Sequence, residues 1–123
     1  MSVSGAPESP IDGQVFMLAA AKASVAPSKL SDLLSRVQAD VGGRLDVYRR
    51  DFERVAQQDD REVFLVPTGH WEQIADRLDF GERERKAVAR AHAEQLRSIG
   101  SDTGRNDEFE TALEIREAVV VGT

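Results

Sequence analysis

The chain of 123 residues contains no cysteine, so disulfide bonds, thiolate zinc sites, iron–sulfur clusters and cysteine nucleophiles are excluded. It also has no long hydrophobic run. Apolar stretches such as residues 15–21 and 63–66 are far shorter than the roughly 20 residues that cross a membrane. The first ten residues lack the positive charge and the apolar segment of a signal peptide. We therefore expect a cytoplasmic protein that does not enter a membrane.

Lysine is scarce as well. The chain has 13 arginines and 3 lysines against 11 aspartates and 11 glutamates, which gives a formal net charge of −6. This balance is typical of proteins from concentrated salt, where screening weakens the repulsion between carboxylates, although a GC-rich genome produces a similar bias. The acidity argues against a surface that attracts nucleic acid or anionic lipid over its whole area.

The length and the hydrophobic pattern predict a small, mainly α-helical domain. Residues 1–10 are small, polar and interrupted by proline, so we expect a disordered N-terminal tail followed by a single helical domain over residues 11–123. Apolar spacing predicts five to six helices. The clearest spacing belongs to the second helix, with Leu30, Leu33, Leu34, Val37 and Val41.

Two further helices are predicted, each with a polar segment after it. A third helix is indicated by the spacing of Leu45, Tyr48, Phe52 and Val55, with a polar turn over residues 57–60. A long helix over residues 82–99 should end at Gly100, before a polar loop at residues 101–107.

Two short valine-rich stretches, residues 63–66 and 118–121, are predicted to form β-strands. Because a lone strand leaves backbone groups unpaired, we expect these two to pair with each other or with a second subunit. The predicted fold is therefore mainly α, with a short two-stranded β pairing.

Several stretches of the chain resemble an uncharacterised family of small acidic haloarchaeal proteins. They are Leu33-Leu34-Ser35-Arg36-Val37-Gln38, Tyr48-Arg49-Arg50, Gly69-His70-Trp71, Arg90-Ala91-His92 and residues 109–117. The resemblance covers most of the chain after residue 11. It implies a salt-adapted origin, and it provides no catalytic residues because the family has no assigned activity.

The charge is distributed unevenly along the chain. Residues 56–81 and residues 100–123 each hold six acidic side chains and two arginines, whereas residues 82–99 hold five basic and three acidic ones. A basic helix therefore lies between two acidic segments.

Four basic side chains of this helix form a stripe. On a helical wheel they lie within about 60° of one another, opposite an apolar face centred near Val88 and Gln95. The members of this basic stripe are Arg83, Lys86, Arg90 and Arg97. Because the outer face of a helix in a salt-adapted protein should be acidic, the stripe suggests a specific contact.

The stripe leaves three interpretations open. It could pack against carboxylates at residues 107–117 or 59–62 of this chain or of a partner, which predicts a non-enzymatic interaction or regulatory protein, homo-oligomeric or bound to another protein. Alternatively, its guanidinium groups could bind phosphates in a nucleic-acid-binding transcriptional regulator. Residues 72–81 and the basic helix superficially resemble a helix-turn-helix, but Arg83, Arg85 and Lys86 occupy early positions that should be apolar. Third, the stripe could be a solvated surface without a partner.

Signals for an enzyme are weak. His70 and His92 fall in different predicted elements and lack the spacing of a helical metal pair, so we expect a structural role for each. No pair of carboxylates can be singled out as a general acid and base. The aromatic residues Phe64, Trp71 and Phe109 are expected in the core. We therefore expect no catalytic residue, no cofactor and no metal site.

Overall fold

The computed structural model describes residues 9–123. The disordered tail predicted for residues 1–10 therefore lies mostly outside the described residues. Within the described part, Pro10 and Ile11 are already buried.

Six α-helices and three β-strands follow one another along residues 9–123. The helices are α1 (Gly13–Ala23), α2 (Pro27–Gly42), α3 (Leu45–Asp51), α4 (His70–Leu78), α5 (Glu82–Thr103) and α6 (Asn106–Ile115). The strands are β1 (Glu53–Gln58), β2 (Arg61–Pro67) and β3 (Arg116–Gly122). The predicted mainly α fold is confirmed. No helix in this part of the chain combines the length and the apolar character needed to cross a bilayer.

The strands form one antiparallel sheet in the order β1-β2-β3. Between β2 and β3, Val63 lies opposite Val120 and Phe64 opposite Val119. The predicted pairing of residues 63–66 with residues 118–121 is thus confirmed within one chain. Apolar side chains explain this pairing, because β2 is buried from residue 62 to residue 66 and β3 from residue 118 to residue 121.

The third helix is shorter than predicted, and β1 was not predicted at all. Helix α3 ends at Asp51, and Phe52 is already extended, with φ −127° and ψ 160°. Val55 lies in β1, where the register shifts between Arg54 and Ala56, and it is the buried residue of this strand. The side chain is therefore buried as expected, but a strand rather than a helix delivers it to the core.

The long helix continues past Gly100 to Thr103, so the predicted stop at Gly100 is wrong. Gly104, with φ 74°, ends the helix instead, and the predicted loop at residues 101–107 shrinks to two residues. Gly100 is needed for close packing: a Cβ atom there would lie 2.9 Å from Cδ2 of Phe109. The absence of a side chain at Gly100 lets α6 approach α5 closely. Gly100 therefore serves packing and does not end the helix.

Helix α5 is the central element of the domain, packed against α1, α6 and β3. Its inner face is buried and includes Val88 and Gln95, as the helical wheel predicted. Gln95 is held by the first residue before α1, because its Oε1 accepts a hydrogen bond of 2.7 Å from the amide of Asp12. This packing leaves the opposite face of α5 toward solvent.

Candidate functional site

An open groove of about 780 Å³ lies where the start of α5 meets the end of α1. Helix α5 forms one wall, and residues 22–24 form the other. Among the nine lining residues, five are cations and Glu82 is the single acid. We call this surface the basic groove, and its cations are Lys22, Arg83, Arg85, Lys86 and Arg90.

The structure brings three members of the basic stripe into this groove. Arg83, Lys86 and Arg90 are exposed there. Arg97 lines a second cavity of about 280 Å³ farther along α5. Because Ala89 and Arg90 line both cavities, the basic groove and the second cavity form one continuous surface along the helix.

Each carboxylate of α5 between residues 82 and 99 already has a cation beside it. The ion pairs are Glu82 with Lys86 at 2.8 Å, Glu84 with Lys29 at 2.9 Å, and Glu94 with Lys22 and with Arg97, both at 3.4 Å. The exposed pair of Glu82 with Lys86 adds little to stability. These pairs do mean that, in the part of the chain that the structure describes, residues 82–99 hold no spare carboxylate for the other cations of the groove.

Three arginines of the groove have no counter-ion in the part of the chain that the structure describes. Among residues 9–123, no carboxylate lies within ion-pair distance of Arg83, Arg85 or Arg90. A guanidinium group stays charged at all accessible pH values and can bind a carboxylate or a phosphate through two parallel hydrogen bonds. Local charge can dominate the field at a groove even when the total charge is negative. The basic groove is therefore suited to an anionic ligand.

Arg97 differs from the rest of the stripe because it packs against α6. Its Nε donates a hydrogen bond of 2.8 Å to Glu110, and its Nη1 contacts Glu94. The acidic segment at residues 107–117 thus supplies a counter-ion to one end of the stripe. The carboxylate of Glu62, in the other candidate segment, is instead held by Arg49 and Arg54.

Residues 9–123 match the family model of a domain of unknown function, DUF8048. The chain belongs to the DUF8048 family. The expectation of an uncharacterised family is confirmed to that extent. Comparisons with curated proteins and with solved structures give no match.

One histidine of this DUF8048 chain is fully buried. The amide of Val120 donates a hydrogen bond of 2.9 Å to Nδ1 of His92, which places the ring proton on Nε2. Nε2 has no hydrogen-bond partner among the described residues, and the ring lies 4.6 Å from that of Trp71 between centroids. Burial lowers the pKa of His92 to about 3, so the imidazole is neutral. His92 therefore acts as a core residue that joins α5 to β3.

The other histidine begins α4. Nε2 of His70 and the hydroxyl of Tyr48 share a hydrogen bond of 2.6 Å, and the Phe52 ring packs edge-on against the imidazole. Burial lowers the pKa of His70 and raises that of Tyr48 to about 12. The two histidines thus bind different partners and share no site. In residues 9–123, no group of three or more His, Asp or Glu side chains could hold a metal ion.

The sequence pattern did not predict two of the cations that line the groove, Arg85 and Lys22. Arg85 lies about 160° from Arg83 on a helical wheel, outside the predicted stripe. Lys22 comes from α1, far away in the sequence, and only the packing of α1 on α5 brings it to the groove. Local periodicity carries no signal for either residue. Gln95 is a polar residue on an otherwise apolar face of α5, and this was the sequence feature that could have indicated a contact between α5 and the start of α1.

Proposed function

We propose that this DUF8048 protein is a non-enzymatic interaction protein with a regulatory role, and that the basic groove binds a carboxylate-rich surface of a protein partner. One observation carries the proposal: Arg83, Arg85 and Arg90 are free of carboxylates among the described residues of a chain whose net charge is −6. A partner that supplies carboxylates would convert these solvated cations into charge-assisted hydrogen bonds.

The size and the surroundings of the groove favour a protein segment over a nucleic acid. Arg83 and Arg90 are separated by about 10 Å along the helix axis. Beyond the Arg97 end lie the exposed carboxylates of α6, and Arg97 contacts one of them, Glu110, directly. A long polyanion would run from the groove onto this acidic surface, whereas a short acidic segment would not.

A nucleic-acid-binding transcriptional regulator is the alternative function. It is supported by the chemistry of the groove, because Arg83 and Arg90 could each bind a backbone phosphate through two hydrogen bonds. In that case the same stripe, including Lys86 and Arg97, would follow the sugar–phosphate backbone. The alternative predicts a strong dependence of affinity on salt.

The composition indicates the cellular environment in which either function would operate. The excess of arginine over lysine fits the cytoplasm of a salt-adapted cell, as in the haloarchaeal proteins that the sequence resembles. In molar salt the Debye length is about 3 Å, so only ion pairs in direct contact keep their attraction. We therefore expect the partner to be bound by close contact in the groove, and a homo-oligomer would provide such a contact.

The proposal is tested by titrating the protein against two fluorescent probes of equal net charge, a glutamate-rich peptide and a DNA duplex. Fluorescence anisotropy of the peptide should rise with wild-type protein. It should not rise with the triple variant Arg83→Glu, Lys86→Glu and Arg90→Glu. The variant Arg50→Glu is a control for charge reversal outside the groove, because it replaces an exposed cation of α3 and should bind the peptide as the wild type does.

The two probes separate the two functions. If the duplex binds more tightly than the peptide, and the logarithm of its affinity falls with the logarithm of salt concentration by about 0.9 per phosphate contacted, the alternative is correct and the protein-partner proposal is wrong. If the triple variant binds the peptide as well as the wild type does, the groove is not the binding surface.

A further inference from the structure

We propose that the partner of the basic groove is a second copy of this chain, and that the two copies pair about a twofold axis with the groove of each on α6 of the other. The inference rests on the proposed function, which assigns the groove to a carboxylate-rich protein surface. On α6 the surface in question is an acidic edge formed by Asp107, Glu110 and Glu114.

The acidic edge is complementary to the groove in charge and exposure. All three of its carboxylates lie on exposed residues. Glu110 is held by Arg97 of the same chain. Asp107 and Glu114, by contrast, have no cation within ion-pair distance among residues 9–123. Each copy therefore offers free carboxylates as well as free guanidinium groups.

The two sets of charges have the same spacing. In the groove, Lys86 and Arg90 follow Arg83 by three and seven residues. On α6, the second and third members of the acidic edge follow the first by the same two intervals. Both triads therefore extend over about 10 Å of helix and occupy one helical face. In both, the middle member is engaged within its own chain and the outer two are free.

The basic and acidic parts also belong to one surface of the molecule. The basic groove continues into the second cavity through Ala89 and Arg90, and Leu113 of α6 is among the residues that line that cavity. The ion pair of Arg97 with Glu110 marks the boundary between the two parts. A twofold axis near this boundary would place the basic part of each copy on the acidic part of the other, so a single surface would be complementary to itself.

A charge-exchange experiment tests this arrangement. The groove variant is Arg83→Glu with Arg90→Glu, and the edge variant is Asp107→Arg with Glu114→Arg. The groove variant puts acids where the two free arginines would face Asp107 and Glu114, and the edge variant puts arginines where those two acids would face Arg83 and Arg90. Like charges would then meet at these positions across the interface, so each variant alone should be monomeric. An equimolar mixture should recover the dimer, because at the exchanged positions the acids of one variant would face the arginines of the other.

Molar mass is measured by light scattering after size exclusion, at a fixed salt concentration and over a range of protein concentrations. The wild type should have twice the mass of one chain, each variant alone half the wild-type value, and the mixture the full value. Circular dichroism checks that the variants fold. The matched control Glu72→Arg with Asp76→Arg alters two exposed acids of α4 and should stay dimeric.

Three outcomes overturn the inference, and they differ in what they say about the groove. If the edge variant stays dimeric while the groove variant dissociates, the groove binds another surface and the proposed function stands. If both variants dissociate but their mixture stays monomeric, the two parts do not face each other. If the wild type is monomeric at every concentration, this inference fails, and the glutamate-rich peptide alone decides the function of the groove.

Discussion

Acid should destabilise the domain through His92. The pKa of this residue is lowered to about 3 by burial, whereas in the unfolded chain it is near the ordinary value of 6.5. Below pH 6.5 the unfolded chain therefore binds a proton that the folded chain excludes, so the free energy of unfolding falls as the pH falls. Each pH unit in this range corresponds to about 1.4 kcal/mol. The unfolded histidine is only half protonated at pH 6.5, so the loss attributable to His92 between pH 6.5 and about pH 5 is about 1.7 kcal/mol.

The measurement is urea denaturation followed by circular dichroism at several pH values between about 8 and about 5, at constant salt. The variant His92→Asn removes the titrating group but keeps an oxygen that can accept the hydrogen bond from the amide of Val120. It should be less stable than the wild type at neutral pH, because Asn is smaller and leaves a cavity. Its stability should nevertheless depend much less on pH.

Two comparisons complete the test. The pKa of His70 is lowered too, so His70→Asn should also flatten the pH dependence, in the same direction. Carboxylates contribute little above about pH 5, because their ordinary pKa values lie lower. If the wild type and His92→Asn lose the same free energy of unfolding between pH 6.5 and pH 5, the assignment of a neutral, buried imidazole at this position is refuted.

Two further predictions concern packing and charge in the core, both measured as free energies of unfolding in urea. Gly100→Ala should cost about 1 to 3 kcal/mol, because the new Cβ would lie 2.9 Å from the Phe109 ring, whereas Gly42→Ala, which meets nothing within 4 Å, should be neutral or slightly stabilising. Equal effects of the two substitutions would contradict this account of the helix contact. Glu62→Gln should cost about 1 to 3 kcal/mol, because a carboxylate whose side chain is 3% exposed loses its charge-assisted hydrogen bonds to two arginines. The exposed Glu53→Gln is its control and should cost under about 1 kcal/mol; a similar loss for both would show that burial of the pair is unimportant.

The parts of the fold that the sequence predicts are those where one periodicity dominates. The apolar residues of α2 recur at helical spacing, and all of them are buried. The valines of β2 and β3 form short apolar runs typical of core strands, and the need to satisfy backbone groups predicts that these strands pair with each other or with a second subunit; the structure shows the first. The buried position of Gln95 also follows from the helical wheel.

Strand β1 could not be predicted in this way because its sequence is mostly polar. Val55 is the single buried residue of β1, and its spacing from Tyr48 and Phe52 also fits a helix. An edge strand with one buried side chain carries almost no alternation, so tertiary pairing with β2 decides its conformation. The prediction that Gly100 ends the long helix was wrong for a related reason. The neighbour that requires a glycine there is Phe109 of α6, and the local sequence pattern around Gly100 does not reveal that contact.

The candidate site was partly predictable for the same physical reasons. The stripe on α5 is a periodic pattern within one helix, so Arg83, Lys86 and Arg90 could be placed together from sequence. The second wall of the groove and its ends depend on how α1 and α6 cross α5, and sequence periodicity contains no information on such crossings. That Glu110 engages Arg97, while no carboxylate among residues 9–123 lies within ion-pair distance of Arg83 or Arg90, is also a property of tertiary structure.

The sheet has a consequence for the order in which the chain folds. Strands β1 and β2 are joined by the tight turn at Asp59 and Asp60, so their hairpin can form within microseconds from local contacts alone. Strand β3 pairs with β2 across about fifty intervening residues, and its ordering requires that long loop to close. Folding rates fall as such distant pairings become more important, so we expect docking of β3 onto the hairpin to limit the rate, with α5 and α6 forming earlier in the intervening segment.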